Sequence, residues 1–209
     1  MNKSLIIACD GEAASGKSTG AKLLSKKYRL LLLNSGLLYR YASKILITKK
    51  PKKPILYLKK KFKKVSYSLI KKQSLHSQEI SNHVGYLAKN KAIREIMRIY
   101  QKKMIKKNKR ICVEGRDIAT KILNRNPKYD LAFYFTCNIN IAAKRRWKEL
   151  KKKVPLKEVQ KSLVKRTKMD KNRKHSPLKK VKNAILIRTD KLSKKEVLNR
   201  MSNEVDKIN

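Results

Sequence analysis

The chain has 209 residues, and its 57 Lys and Arg against 14 Asp and Glu give a formal charge of +43 at pH 7. This length suits one domain, residues 1–209, with a buried core. No apolar run is long enough to span a membrane, and the apolar start is too short for a signal peptide. The three cysteines have neither zinc-site spacing nor an even disulfide count, so we expect buried thiols in a reducing cytoplasm.

The positive charge would attract polyanions, so nucleic acid is a partner to consider. The lysines are spread over most of the chain, aromatic residues make up only 6%, and no RNA-binding module signature occurs. We therefore predict no dedicated nucleic-acid site, and expect non-specific polyanion binding at low salt.

Short apolar runs alternate with helix-like segments along the chain, which predicts an α/β fold with a parallel sheet and helices on both faces. The predicted strands are Leu5–Asp10, Leu30–Leu33, Ile111–Glu114, Leu131–Phe135 and Ala184–Ile187. The predicted helices are Lys17–Tyr28, Gly36–Ile47, Gln78–Ala88, Ala92–Lys107, Ile139–Lys152, Leu156–Lys168 and Ser193–Lys207. Ser193 precedes Glu196 by three positions, which is a capping-box pattern for the last helix.

Two lysine-rich stretches lack the apolar periodicity of the core elements. Residues 48–78 contain two prolines, and we predict an insertion with a short strand pair around Val65–Ile70. Thr167 to Lys182 is charged and contains Pro177, and we predict a mobile loop or lid there.

Gly11 to Ser18 have the pattern G-x-x-x-x-G-K-S directly after the first predicted strand and before a helix. In this context the pattern predicts a loop whose backbone amides and helix N-terminus hold the phosphates of a nucleoside triphosphate. Lys17 would reach the β- and γ-phosphates, and the Ser18 hydroxyl would bind Mg²⁺.

Four further segments resemble bacterial cytidylate kinases, in that family's order and spacing. Asn34 to Arg40 resembles D-S-G-x-x-Y-R, and Glu114 to Thr120 resembles D-G-R-D-x-G-T. Glu79 to Glu95 is similar to the family's E-V-A-N to V-R-E stretch, and Arg166 to Leu178 is similar to its lid.

The resemblance implies a P-loop nucleoside monophosphate kinase fold with a five-stranded parallel sheet, an acceptor-binding region at about residues 36–107 and a lid at about 153–182. It implies the reaction ATP + (d)CMP → ADP + (d)CDP, with Mg²⁺ as cofactor, ATP and CMP or dCMP as the partners, and a monomer that does not bind membranes.

The resemblance also assigns site residues. Lys17, Arg116 and Arg166 are the catalytic ones, and Ser18 is the metal ligand. ATP is assigned to Gly11, Glu12, Ala13, Ala14, Ser15, Gly16, Lys17, Ser18, Thr19, Arg145 and Arg146. CMP is assigned to Ser35, Arg40, Gly85, Arg94, Arg116, Asp117, Arg166, Asp170 and Arg173.

Plainer interpretations of these residues stay open at this stage. Asp117 could cap the helix that follows it while pairing with Arg116, and Arg166, Asp170 and Arg173 could form a surface salt-bridge ladder. A kinase acting on UMP or thymidylate would share the phosphate loop. Arg94 and Asp117 suit the hydrogen-bonding edge of cytosine. Gly85 stands where the family commonly has a serine, so we expect CMP and dCMP to be preferred over UMP by a narrower margin than in family members with the serine.

Overall fold

A computed structural model of the chain describes residues 3–208, with the backbone alone at Gln78. Residues before Asn34 and after Lys107 form one compact unit, the core unit, and Asn34–Lys107 form a second, the helical unit. The strands are β1 (Leu5–Gly11), β2 (Leu31–Asn34), β3 (Arg110–Glu114), β4 (Leu131–Thr136) and β5 (Ile185–Arg188). The helices are α1 (Lys17–Lys27), α2 (Ser35–Lys49), α3 (Pro54–Lys64), α4 (Tyr67–Lys71), α5 (Gln78–Leu87), α6 (Lys91–Lys107), α7 (Ile139–Glu149), α8 (Leu156–Asn172) and α9 (Lys194–Asp206), with a π-helical turn at Ile118–Ile122.

The sheet has five strands in the order β2-β3-β1-β4-β5. Strand β1 pairs in parallel with both β3 and β4, and β4 pairs in parallel with β5. The predicted five-stranded parallel α/β sheet is therefore confirmed, and every predicted strand lies within one residue of its observed ends. The carboxyl ends of β1, β3 and β4 meet at one edge, which is where ligands bind in open α/β sheets.

Both faces of the central strand β1 are covered. Leu5, Ile7 and Cys9 point to one face, where they join a buried cluster that includes Leu24 of α1 and Met201 of α9. The intervening side chains face the other way, because side chains alternate along a strand, and Ala8 is fully buried there. Each large apolar side chain buried in such a core contributes about 1.5–3 kcal/mol to stability.

The last helix begins as its sequence predicts. The Glu196 amide donates to the Ser193 hydroxyl, and the Ser193 amide donates to the Glu196 carboxylate. Within residues 3–208 no helix is both long enough and apolar enough to cross a bilayer.

The strand pair predicted around Val65–Ile70 is wrong, because this part of the helical unit forms α3 and α4. Pro54 occupies the first turn of α3, where a missing N–H costs nothing, and the lysines that follow are good helix formers. Leu58 and Phe62, four residues apart, are buried on one face of α3, while the Ser66 side chain caps α4.

The loop predicted from Thr167 is also wrong in its first part, because α8 continues to Asn172. Charge alone does not end a helix, and the stretch contains neither glycine nor proline before Pro177. Residues 173–183, by contrast, form no helix or strand. The helix predicted to reach Lys152 ends earlier, at Glu149, since Lys151 and Lys152 adopt a left-handed backbone.

Candidate active site

The loop between β1 and α1 has the geometry of an anion-binding turn. A side chain at Gly11 would lie 2.5 Å from the carbonyl oxygen of Phe135, so only glycine allows this approach to β4. Gly16 adopts φ 77° immediately before α1, and no side chain caps the helix. The first amides of α1 therefore remain available to an anionic ligand, with the positive end of the helix dipole behind them.

Lys17 forms a buried ion pair with the last residue of β3. Its Nζ lies 2.7 Å from Glu114 Oε2, and the two side chains are 7% and 1% exposed. Burial by itself would raise the pKa of Glu114, but the Lys17 ammonium and the adjacent Ser18 hydroxyl outweigh it and lower that pKa. Glu114 is therefore ionised at neutral pH, and it holds Lys17 at the carboxyl edge of the sheet.

Asp10, which the sequence analysis did not select, holds the backbone of the π-helical turn. Its Oδ1 and Oδ2 accept hydrogen bonds from the amides of Ile118 and Ala119, each at 2.8 Å, and the side chain is buried. Burial raises the pKa of Asp10 to about 6, although the two amides oppose the shift. A carboxylate in an apolar strand, pointing toward the face opposite Cys9, was the sequence feature that could have identified it.

The alternative in which Asp117 caps this turn is wrong, because its side chain makes no cap hydrogen bond and Asp10 takes that place. Asp117 Oδ1 instead lies 3.7 Å from Arg173 Nη2, and Arg116 Nε donates to Asp170 Oδ2 at 3.0 Å. Asp170 also lies 3.4 Å from Arg173. These side chains are only 7–19% exposed, so Asp170 and Arg173 belong to a largely buried charge cluster and not to an exposed surface ladder.

We call Arg116, Asp117, Asp170 and Arg173 the charge cluster. It joins the end of β3 to the C-terminal end of α8 and the residue after it, within the core unit. Each of the two arginines is paired with a carboxylate and could bind a phosphate group in its place. The guanidinium group binds two phosphate oxygens at once through parallel N–H donors. Arg166, one turn before Asp170 on α8, is half-buried. A second ion pair, between Lys171 Nζ and Glu12 Oε1 at 2.6 Å, links α8 to the phosphate loop.

The two arginines of α7 assigned to ATP have different surroundings. Arg145 donates to the Thr189 hydroxyl at 3.1 Å and to the Thr189 carbonyl at 2.7 Å, and Thr189 donates to the Ser15 carbonyl at 3.1 Å. Arg145 therefore supports the phosphate loop from behind, through the residue after β5. Arg146 pairs with Glu149 at 2.9 Å on the surface.

A cavity of about 620 Å³ lies at the carboxyl ends of β4 and β5. Its lining consists of Thr136, Cys137, Asn138, Ile141, Arg188, Asp190 and Lys191. It opens beside Thr189, the residue that contacts the phosphate loop. A ligand bound by its phosphates in the loop could place an attached base there.

In the helical unit, the residues assigned to CMP have polar partners of their own. Ser35 accepts from Gln101 at 2.7 Å, and Arg40 donates to the Leu75 carbonyl and the Ser81 hydroxyl, both at 2.9 Å. Arg94 lies 5.9 Å from the ring centroid of Tyr39. Gly85 lies within α5.

Asn34 stands where the resemblance would place aspartate, and it caps α2 by accepting from the Leu37 amide at 3.2 Å. Asparagine at this position therefore keeps the local structure that aspartate would give, because asparagine and aspartate are both good N-caps.

Comparison with known proteins agrees with the motifs. A sequence profile described as cytidylate kinase matches residues 7–207. The cytidylate kinase of Rickettsia akari (strain Hartford) is 33% identical over 210 residues, which cover 97% of this chain and 92% of that protein.

Two solved structures share the fold. An uncharacterized protein from Eubacterium ventriosum aligns with a TM-score of 0.63 and 19% identity over 98% of this chain and 99% of its own. Shikimate kinase from Bacteroides thetaiotaomicron aligns with a TM-score of 0.53 and 10% identity over 97% and 98% of the two chains. These similarities confirm the predicted P-loop kinase fold, and the family match and the curated relative confirm the predicted enzyme class. The chain therefore belongs to the cytidylate kinase family of nucleoside monophosphate kinases.

Proposed function

We propose that this chain transfers the γ-phosphate of ATP to CMP or dCMP, with ATP in the phosphate loop and the acceptor at the charge cluster. The observation that supports this most directly is that one sheet edge carries both groups. The loop with Lys17 follows β1, and Arg116 and Asp117 follow its neighbour β3. Phosphoryl transfer needs mainly positioning and positive charge around two polyanions, and both are present at that edge.

Lys17 has the central role on the donor side. Its ammonium is paired with Glu114, and the β- and γ-phosphates of ATP would offer it stronger anionic partners. The unpaired amides at the start of α1 would bind the same phosphates. The base of ATP is assigned to the 620 Å³ cavity, because Asp190 lines it and adjoins Thr189, which contacts the loop.

The acceptor phosphate is assigned to Arg116, Arg166 and Arg173. Together their guanidinium groups would neutralise the acceptor phosphate and stabilise the transferring group. Asp170 would accept a hydrogen bond from the sugar. Ser35, Arg40 and Gly85 of the helical unit are assigned to CMP by the family resemblance.

Arg94 and Asp117 are proposed to distinguish cytosine from uracil. Cytosine presents an acceptor at N3 and a donor at N4, whereas uracil presents a donor at N3 and an acceptor at O4. An arginine facing N3 and a carboxylate facing N4 therefore match cytosine and oppose uracil.

The residues present suit Mg²⁺. The Ser18 hydroxyl and the Glu114 carboxylate are oxygen donors of the kind that Mg²⁺ prefers, and Glu114 Oε1 is buried with no hydrogen bond of ordinary geometry. Among residues 3–208 no cluster of three or more His, Cys, Asp or Glu could hold a metal. Ser18 would be the direct ligand, with Glu114 acting through water, and the ion would supply charge neutralisation at the phosphates. We also propose a monomer working in a reducing cytoplasm.

The deciding experiment is a panel of monophosphates, including CMP, dCMP, UMP and dTMP, each with ATP and Mg²⁺. We expect the highest kcat/KM for CMP and dCMP. The Lys17→Ala variant, purified in the same way, measures any contaminating kinase from the expression host. A preference for UMP or dTMP would show that the acceptor has been misassigned.

A further inference from the structure

Asp10 is a buried carboxylate whose two oxygens are both used by the backbone of another element. Ile118 and Ala119 donate to Oδ1 and Oδ2 respectively, and both distances are 2.8 Å. The two amides belong to the start of the π-helical turn, which follows Arg116 and Asp117 directly. Asp10 therefore fixes the backbone immediately after two residues of the charge cluster.

An ionised carboxylate offers each amide an oxygen that carries no proton, so it satisfies both. A protonated carboxyl or a carboxamide offers one full acceptor toward the pair, and its second polar atom becomes a donor that faces an N–H. Leaving a buried amide without an acceptor is costly, so loss of the charge releases one of the two amides.

We propose that Asp10 is a positioning residue for the acceptor: through the Ile118 and Ala119 amides it holds Arg116 and Asp117 in the orientation that binds CMP. The inference rests on the proposed acceptor roles of Arg116 and Asp117. Asp10 itself contacts neither substrate nor metal in this scheme.

A carboxylate whose ionised form stabilised the fold would have a lowered pKa in the folded protein. Burial raises the pKa of Asp10 from 3.8 to about 6, so the carboxylate is still mainly ionised at pH 7, at a cost in stability relative to a carboxyl group with the ordinary pKa. Removing the charge would remove this cost but would also leave one of the two buried amides without an acceptor, so the role of Asp10 is read from CMP binding and not from the unfolding temperature. A group that opposes stability and orders a functional loop is typical of a residue retained for activity.

The charged and titratable groups around Asp10 come from each neighbouring element. Asp117 raises its pKa and Lys17 of α1 lowers it, Tyr134 pairs with it in register on β4, and Glu114 ends β3. Lys17 and Glu114 form an ion pair at 2.7 Å, and Asp117 is itself paired with Arg173 at 3.7 Å, so burial is the main cause that favours protonation of Asp10 as the pH falls.

The test compares Asp10→Asn with Asp130→Asn. Asp130 is the control, because its exposed carboxylate also accepts from a backbone amide, that of Ile6 at 2.7 Å, at the opposite end of β1 from Asp10. For Asp10→Asn we expect the CMP dissociation constant to rise roughly tenfold or more, the size of one lost buried hydrogen bond, while ATP affinity stays within about twofold of the parent's. Amides 118 and 119 should exchange with solvent faster. Asp130→Asn should change none of these.

The pH dependence separates positioning from a structural role. CMP itself titrates near pH 6, so the informative quantity is the ratio of the variant's CMP dissociation constant to the parent's at each pH. We expect this ratio to be constant above about pH 7 and to approach one below about pH 5, as the parent's Asp10 becomes protonated.

The possible outcomes are distinct. If the parent neither binds nor phosphorylates CMP, the proposed function fails. If the parent uses CMP and Asp10→Asn binds it equally well, or if the ratio does not vary with pH, the positioning role alone is refuted. An Asp10→Asn variant that unfolds at a much lower temperature and loses ATP and CMP binding equally would also refute it.

Discussion

At the scale of single residues, the phosphate loop depends on two kinds of support. A side chain at Gly11 would clash with Phe135, and Gly16 adopts φ 77°, which glycine reaches without strain, whereas Lys17 provides the charge. The charge is already paired within the protein, so a substitution at Lys17 removes a ligand for phosphate and also leaves Glu114 buried without its cation.

Lys17→Ala should lower kcat/KM for CMP phosphorylation by several orders of magnitude, because a positive charge in a water-excluded site is worth several kcal/mol to the transition state. Steady-state assays at saturating ATP measure this. Lys22→Ala, an exposed lysine on the same helix, is the control and should be unaffected. Activity above about a tenth of the parent's would contradict the assignment of the phosphate loop.

Base selectivity is the second property that individual residues determine. Asp117→Ala should lower the ratio of kcat/KM for CMP over UMP by roughly tenfold to a hundredfold, the discrimination expected of a well-placed hydrogen-bonding pair. Gly85→Ser should raise the same ratio, and a serine is compatible with the helical backbone of α5 at this position. The ratio of CMP to dCMP serves as the internal control. An unchanged CMP/UMP ratio in Asp117→Ala would mean that the base lies elsewhere.

At the scale of elements, the C-terminal end of α8 differs from an ordinary surface helix. Arg116 and Asp170 form an ion pair between β3 and α8, and Lys171 reaches Glu12 in the phosphate loop. The phosphates of ATP and CMP would compete with the carboxylates of Asp170 and Glu12 for these two cationic side chains. The segment is therefore suited to rearrange when substrates bind.

Hydrogen exchange should show residues 166–178 more protected when ATP and CMP analogues are bound together than with either one alone. Closure over both substrates would exclude water and discourage ATP hydrolysis, which is the physical reason for the expectation. Helix α9 provides the reference, because it packs on α1 away from the charge cluster. Equal protection of residues 166–178 in the free and ternary states would contradict a lid.

The sequence predicted the strands well and the lysine-rich segments poorly, for a physical reason. Buried strands need unbroken apolar runs, which are visible in the sequence, whereas α3 buries only Leu58 and Phe62 among its lysines. The phosphate loop was identifiable from local spacing. The contacts of Asp10 with residues 118 and 119 join positions more than 100 residues apart, and no local pattern specifies such a pairing.

At the scale of the whole molecule, acidic and basic residues are distributed unevenly along the chain. No Asp or Glu occurs from Ala13 through Gln78, while the same stretch contains many lysines, most of them after Ser43. Helix α3 carries exposed lysines with no acidic residue on the same helix. The field from these groups would attract anionic substrates and polyanions alike.

RNA affinity should fall about a thousandfold between 50 and 200 mM salt if on the order of six phosphates are contacted, because diffuse binding is driven by counterion release. Fluorescence anisotropy with RNAs of unrelated sequence measures the salt dependence. Lys17→Ala should bind RNA as the parent does, since its ammonium is buried. Sequence-selective binding that persists at the higher salt would contradict a diffuse field and point to a dedicated site.

The contact of Arg145 with Thr189, and of Thr189 with Ser15, has a consequence for how this sequence can evolve. Thr189 needs both its hydroxyl and its carbonyl to accept from Arg145, and the same hydroxyl donates to the phosphate loop. A substitution at Thr189 would remove only the hydroxyl partner of Arg145, whereas loss of Arg145 would take a donor from both the hydroxyl and the carbonyl of Thr189, so the costs of the two substitutions are not additive. We therefore expect positions 145 and 189 to change together among descendants of this sequence, with each pair preserving the position of the loop.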